Sequence, residues 1–127
     1  MIRRLSEKRR RESDGVREAK EVFVAERNCC VPWCLRQAEE CHEIARGANR
    51  GRAALDRAAW LAVCRAHHVE FDDYSRWGLP RQYALKAVSD MEFYDRVRLN
   101  LIRGKAQDSI DERQVLSRVV ELLTRVA

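Results

Sequence analysis

The sequence predicts an α+β protein, one short pair of strands framed by helices, and three observations lead there. A chain of 127 residues can build one modest core but not two independent ones. Apolar residues recur at helical spacings near both ends, whereas two short runs in the middle, residues 37–44 and 59–63, have the length of strands and flank a loop carrying Gly47 and Gly51. All five cysteines (Cys29, Cys30, Cys34, Cys41, Cys64) and all three histidines (His42, His67, His68) fall within forty residues. Cytosolic thiols stay reduced, so such cysteines are metal ligands or buried thiols rather than disulfides. Core packing does not require soft ligands to cluster, and the clustering favours a metal.

The elements follow in order. Residues 1–15 read as a basic tail, a frayed helix or flexible arm, because their charged side chains leave no face to bury. Residues 16–127 read as a single domain, with its working part at about 27–75 and a helical region at 80–127. Val16, Ala19 and Phe23 are spaced by three and four, which predicts an amphipathic helix ending near Asn28. After the two strands the pattern turns helical at Cys64 and is interrupted by Trp77-Gly78-Leu79-Pro80. Pro80 suits the first turn of the next helix, where its missing N–H is not needed. Ser89-Asp90-Met91-Glu92 has the spacing of a capping box, with Phe93, Val97 and Leu101 marking one face and Gly104 as the stop. Ser109 to Glu112 repeats the capping pattern before Leu116, Val119, Leu123 and Val126, a last helix that packs on the domain or pairs with a second copy as a homodimer.

Charge narrows the partners. Lys and Arg outnumber Asp and Glu by 25 to 20, and the excess is local: Arg46, Arg50, Arg52 and Arg57 stand against Asp56 alone in residues 45–57. A surplus of this kind suits a polyanion such as DNA, since neutralising phosphates releases counterions; the plain alternative is a solvated arginine-rich surface. No apolar run reaches the roughly 18 residues of a membrane span, and the expectation is a soluble, cytoplasmic chain without a membrane partner.

Cys29-Cys30-Val31-Pro32-Trp33-Cys34 offers two thiols across a tight turn, and Cys64-Arg65-Ala66-His67 offers a thiol and an imidazole three residues apart. Two such pairs make the tetrahedral Cys3His donor set of a structural Zn2+ site: Cys29, Cys34, Cys64 and His67, with Cys30 as the alternative first ligand. In a domain this small, metal binding becomes folding free energy.

The order and spacing of Cys29 to Cys34, of Cys41-His42-Glu43-Ile44 and of Val63-Cys64-Arg65-Ala66-His67-His68 resemble the zinc-knuckle HNH endonucleases of phages and bacteria. The resemblance covers about residues 27–75. It implies a ββα-metal fold, with a hairpin carrying one histidine, a helix carrying another and a divalent ion between them. By position it makes His42 the general base and His68 a ligand of the catalytic ion, with Asp72 one helical turn beyond as a further ligand. Cys41 stands where the family often has a metal-binding Asp or His; as a softer ligand it would shift the preference away from Mg2+, the catalytic ion being Mg2+, Mn2+, Ni2+ or Zn2+. Arg46, Arg50 and Arg52 would grip the DNA backbone. The family's central Asn falls on Ala59.

The expected activity is therefore metal-dependent hydrolysis of DNA phosphodiester bonds, in the company of the packaging or recombination proteins that related phage enzymes serve. Ala59 and Cys41 motivate the alternative, a catalytically inactive zinc-knuckle module that binds nucleic acid or protein. The aromatic residues Trp60, Phe71, Tyr74 and Trp77 read as core rather than as stacking platforms for bases.

Overall fold

The computed structural model describes residues 7–44, 50–104 and 109–126. The first helix, α1, spans Glu7–Ala25 and so begins inside the segment read as a tail. No proline interrupts that segment, and the single Gly15 costs a helix only about 1 kcal/mol. Its last turns meet the body of the protein, where Phe23 is buried and lies edge-on to Trp60 at 5.7 Å.

The sheet is one antiparallel pair. β1, Glu40–Glu43, runs against β2, Trp60–Val63, with Cys41 opposite Ala62 and His42 opposite Leu61. Both strands fall inside the runs expected from the sequence, and Asn28 and Gln37 form an isolated bridge ahead of them. β2 is buried at all four positions because the sheet is covered on both faces. Trp60 and Ala62 join Phe23 and Ala38 under α1, while Leu61 and Val63 join the main core, as the two-residue repeat of a strand requires. The connection between the strands holds a short helix, α2, Arg50–Ala54, and a 3-10 turn, Arg57–Ala59, capped by Asp56, whose side chain accepts from the Ala58 amide. A third helix, α3, Arg65–Glu70, starts directly after Cys64. Hairpin and helix thus follow in the order β, β, α.

The next helix, α4, spans Leu79–Ser89 with Pro80 in its first turn, as expected, and buries five successive residues, Gln82 to Lys86. Such all-round burial arises because α4 is packed between β2 and the last helix. Lys86 is fully buried; its Nζ donates to the Arg57 carbonyl at 2.7 Å, the Trp60 carbonyl at 2.8 Å and Asp90 Oδ2 at 2.7 Å. Arg57 and Arg27 also reach the Asp90 carboxylate. This buried cation, with every proton placed, ties α4 to the start of β2.

Two helix starts differ from expectation. α5 spans Arg96–Arg103, capped by Asp95, whose side chain accepts from the Arg98 amide; Ser89 instead ends α4, and Asp90 is engaged by Lys86 and Arg57. The inward face of α5 is Leu99 and Ile102, whereas Phe93, Val97 and Leu101 are exposed. Gly104 stops the helix at φ 98°, a conformation glycine adopts without strain. α6, Glu112–Val126, is capped two residues later than Ser109, by a reciprocal pair in which Asp111 accepts from the Gln114 amide and Gln114 from the Asp111 amide. It buries Val115 and Leu122, leaving Leu116, Val120 and Leu123 exposed. Of the stripe the spacing singled out, Val119 packs against the core beside Val115 and Leu122, while Leu116 and Leu123 face outward. Among the described residues no helix is long and apolar enough to cross a membrane.

Candidate metal centre and the adjoining histidine pair

The turn after α1 and the start of α3 bring four side chains together. Cys29, Cys34, Cys64 and His67 present ligand atoms that all lie within 4.8 Å of one another. Cys64 Sγ lies 3.3 Å from His67 Nδ1, Cys29 Sγ 3.5 Å from the same nitrogen, and Cys34 and Cys64 Sγ 4.0 Å apart. Zinc bonds of ~2.3 Å to sulfur and ~2.0 Å to nitrogen give tetrahedral edges of about 3.5–3.8 Å, so the arrangement fits Zn2+ with little adjustment. All the cysteines are free thiols. Among the described residues this is the one group of three or more Cys, His, Asp or Glu whose ligand atoms converge so closely.

Local geometry accounts for the convergence. The Cys29 amide donates to the Arg36 carbonyl, the Cys34 amide to the Val31 carbonyl and the Cys30 amide to the Ala62 carbonyl, which folds the knuckle and pins it beside β2. Cys64 is the N-cap of α3, and His67 follows almost one helical turn later on the same side. The Cys30 thiol hydrogen-bonds to Cys29 and is the largest influence holding it down to about 4; the Cys64 and Val31 backbone and the His67 side chain act the same way, against burial, which raises it. Cys30 itself is pushed well above 9.0, first by burial. Cys29 is therefore the member of the Cys29/Cys30 pair that belongs to the cluster, and Cys30 is its hydrogen-bonding neighbour. Burial and the neighbouring Cys29 raise Cys34 to about 11, so metal entry must displace protons.

Glu70, which the sequence reading did not single out, stands behind His67. Its Oε2 lies 3.8 Å from His67 Nε2, and the carboxylate is held by Arg76 at 3.0 Å and by Trp77 Nε1 at 3.3 Å. A carboxylate facing the far ring nitrogen is the common way to orient a metal-binding imidazole. The i, i+3 spacing from His67 was the available signal.

Beside this cluster, His42 on β1 faces His68 on α3 with ring centroids 5.4 Å apart, and Phe71 closes a third side at 5.1 Å. His42 Nε2 lies 2.8 Å from Gln82 Oε1. Burial pushes His42 down to about 4, outweighing the Gln82 hydrogen bond, so the ring is neutral at physiological pH. His68 Nδ1 lies 3.6 Å from Glu40 Oε2. Glu40 is two residues before His42 and shares its face of the strand, which a reading fixed on the adjacent position overlooks.

The other expected ligands fall elsewhere. Cys41 turns to the opposite side of β1, against the cluster of Phe23, Ala38, Trp60 and Ala62, because neighbouring strand residues point to opposite faces; burial pushes its thiol up to about 12. α3 ends at Glu70, so Asp72 lies past the helix rather than on its next turn, exposed but near enough for its charge to act on His42. Arg52 is exposed on α2; Arg46 and the side chain of Arg50 lie outside the described residues. Ala59 is fully buried, and its carbonyl accepts from the Ile44 amide at 2.8 Å. Trp60, Phe71 and Trp77 are core, while Tyr74 is partly exposed.

Comparison with protein-family models, curated proteins and solved structures finds no significant match. The fold and the site define the class: an α+β protein with a Cys3His cluster suited to a metal ion such as zinc.

Proposed function

We propose that this chain is a metal-dependent DNA endonuclease of the HNH kind, with zinc holding the knuckle and His42 acting as general base. The observation that carries the reading is the pairing of His42 on the first strand with His68 on the helix after the second, ring centroids 5.4 Å apart, beside the Cys3His cluster. A half-buried, neutral imidazole can take the proton of an attacking water. His68, with Glu40 beside it at 3.6 Å and Asp72 nearby, would hold a second divalent ion (Mg2+, Mn2+, Ni2+ or Zn2+). That ion, when bound, stabilises charge on the phosphate and the leaving oxygen. The arginines between the strands, exposed Arg52 among them, suit the DNA backbone, which positions a duplex without reading its sequence.

Two observations favour a second reading, an inactive zinc-knuckle module that binds nucleic acid or protein. Ala59 offers only its backbone to the hairpin, and among the described residues no second group of three ligands converges as tightly as the cysteine cluster. Incubating supercoiled plasmid with the purified protein and each of the four metals separates the readings. Nicking that His42→Ala abolishes supports the nuclease; no nicking with any metal, or equal nicking by the variant, removes it.

A further inference from the structure

We infer that Gln82 is the positioning residue for His42, fixing the imidazole in the tautomer protonated on Nε2 and leaving Nδ1 as the proton acceptor. The catalytic consequence rests on the nuclease reading; the tautomer itself does not. Gln82 is fully buried on α4, so its amide can be satisfied only by protein groups. Its Nε2 lies 2.8 Å from the Trp77 carbonyl, and a carbonyl can only accept. The amide orientation is thereby decided: nitrogen toward Trp77, oxygen toward His42. The amide oxygen in turn can only accept, so across the 2.8 Å separation from His42 Nε2 the proton must sit on the imidazole. In a neutral ring the other nitrogen then carries the lone pair.

The anchor is rigid. Trp77 is buried, stacks on Trp33 at 6.1 Å and meets Phe71 at 5.1 Å and His67 at 6.4 Å. The carbonyl that orients Gln82 therefore belongs to a residue packed against the cysteine knuckle, and Gln82 transmits that rigidity to His42. A side-chain amide from α4 supports the base, while the backbone at Ala59 supports only the strand.

The test uses the full-length, zinc-loaded protein labelled with 15N-histidine. Long-range 1H–15N spectra at neutral pH should show His42 protonated on Nε2 and bare on Nδ1; the reverse pattern overturns the inference without any variant being made. Gln82→Met keeps the volume and removes both hydrogen bonds. It should give a mixed tautomer pattern and lower the nicking kcat by roughly 100-fold, the scale of a misplaced catalytic group, with KM little changed. Gln82→Glu, which as a buried neutral acid can still donate to Trp77 and accept from His42, should restore the pattern and most of the rate. A Gln82→Met protein with the wild-type pattern and wild-type kcat refutes the positioning role. Wild-type protein that shows the expected pattern but fails to nick plasmid with any of the four metals supports the tautomer and removes the nuclease reading instead.

Discussion

Replacing Cys64 by serine should show what the cysteine cluster contributes to folding. The side chain is fully buried, caps α3 and lies 3.3 Å from His67 Nδ1, so the change removes one of four ligands and leaves a hydroxyl in an apolar site. A loss of ~10³ in zinc affinity corresponds to about 4 kcal/mol, since each 1.4 kcal/mol is tenfold. The assembled site exists only in the folded chain, so the loss falls on stability. Burying the hydroxyl adds ~1 kcal/mol. The total of ~5 kcal/mol is a third or more of what holds a domain of this size together, and at ~3–5 °C per kcal/mol it predicts a fall in Tm of about 15–25 °C. The assay is thermal unfolding by circular dichroism with and without a strong zinc chelator, alongside metal content by mass spectrometry. Wild-type protein should carry zinc and lose a comparable span of Tm to the chelator, whereas Cys64→Ser should respond little. Cys30→Ala, which alters a neighbour of the cluster, should retain the metal. A wild-type Tm indifferent to the chelator, with no bound metal, would refute the reasoning.

Two further outcomes follow from buried charge. His42 is lowered from 6.5 to about 4 by burial, so between those values the unfolded chain binds a proton that the folded chain does not. Its contribution to stability is complete above pH 6.5, is lost progressively as pH falls toward 4, and reaches ~3 kcal/mol. Measured by urea unfolding, wild type should lose that amount relative to His42→Gln as pH falls from 6.5 to 4; parallel curves would count against a neutral imidazole in the folded chain. Lys86→Met removes three hydrogen bonds and leaves Asp90 facing Arg57 and Arg27 alone. It should cost about 3 kcal/mol, and an unchanged urea midpoint would show that the buried ammonium does no more than a methionine would.

Much of the Cys3His cluster was legible because its information is local. Cys64 and His67 are three residues apart at a helix start, and Cys29 and Cys34 span one turn, so spacing alone brings each pair into reach. The strands and the stop at Gly104 were legible for the same reason. Orientation was less so. The twofold repeat of a strand separates Cys41 from His42, and that became visible only once β1 began at Glu40 and Cys41 was paired with Ala62. Likewise α6 offers two apolar stripes, and only its packing on α4 decides that Val115 and Leu122 go inward.

The sequence by itself determined the α+β composition, the four residues of the Cys3His cluster and the two histidines that adjoin them, because these depend on residue type and on steps of a few positions. Tertiary structure alone decided that Gln82, forty residues beyond His42, lies 2.8 Å from that imidazole, and that Lys86 holds α4 to the backbone at Arg57 and Trp60. Both are polar groups on a helix whose every side is covered, and a buried polar side chain takes its partner from whichever element packs against it, at a separation no local pattern encodes.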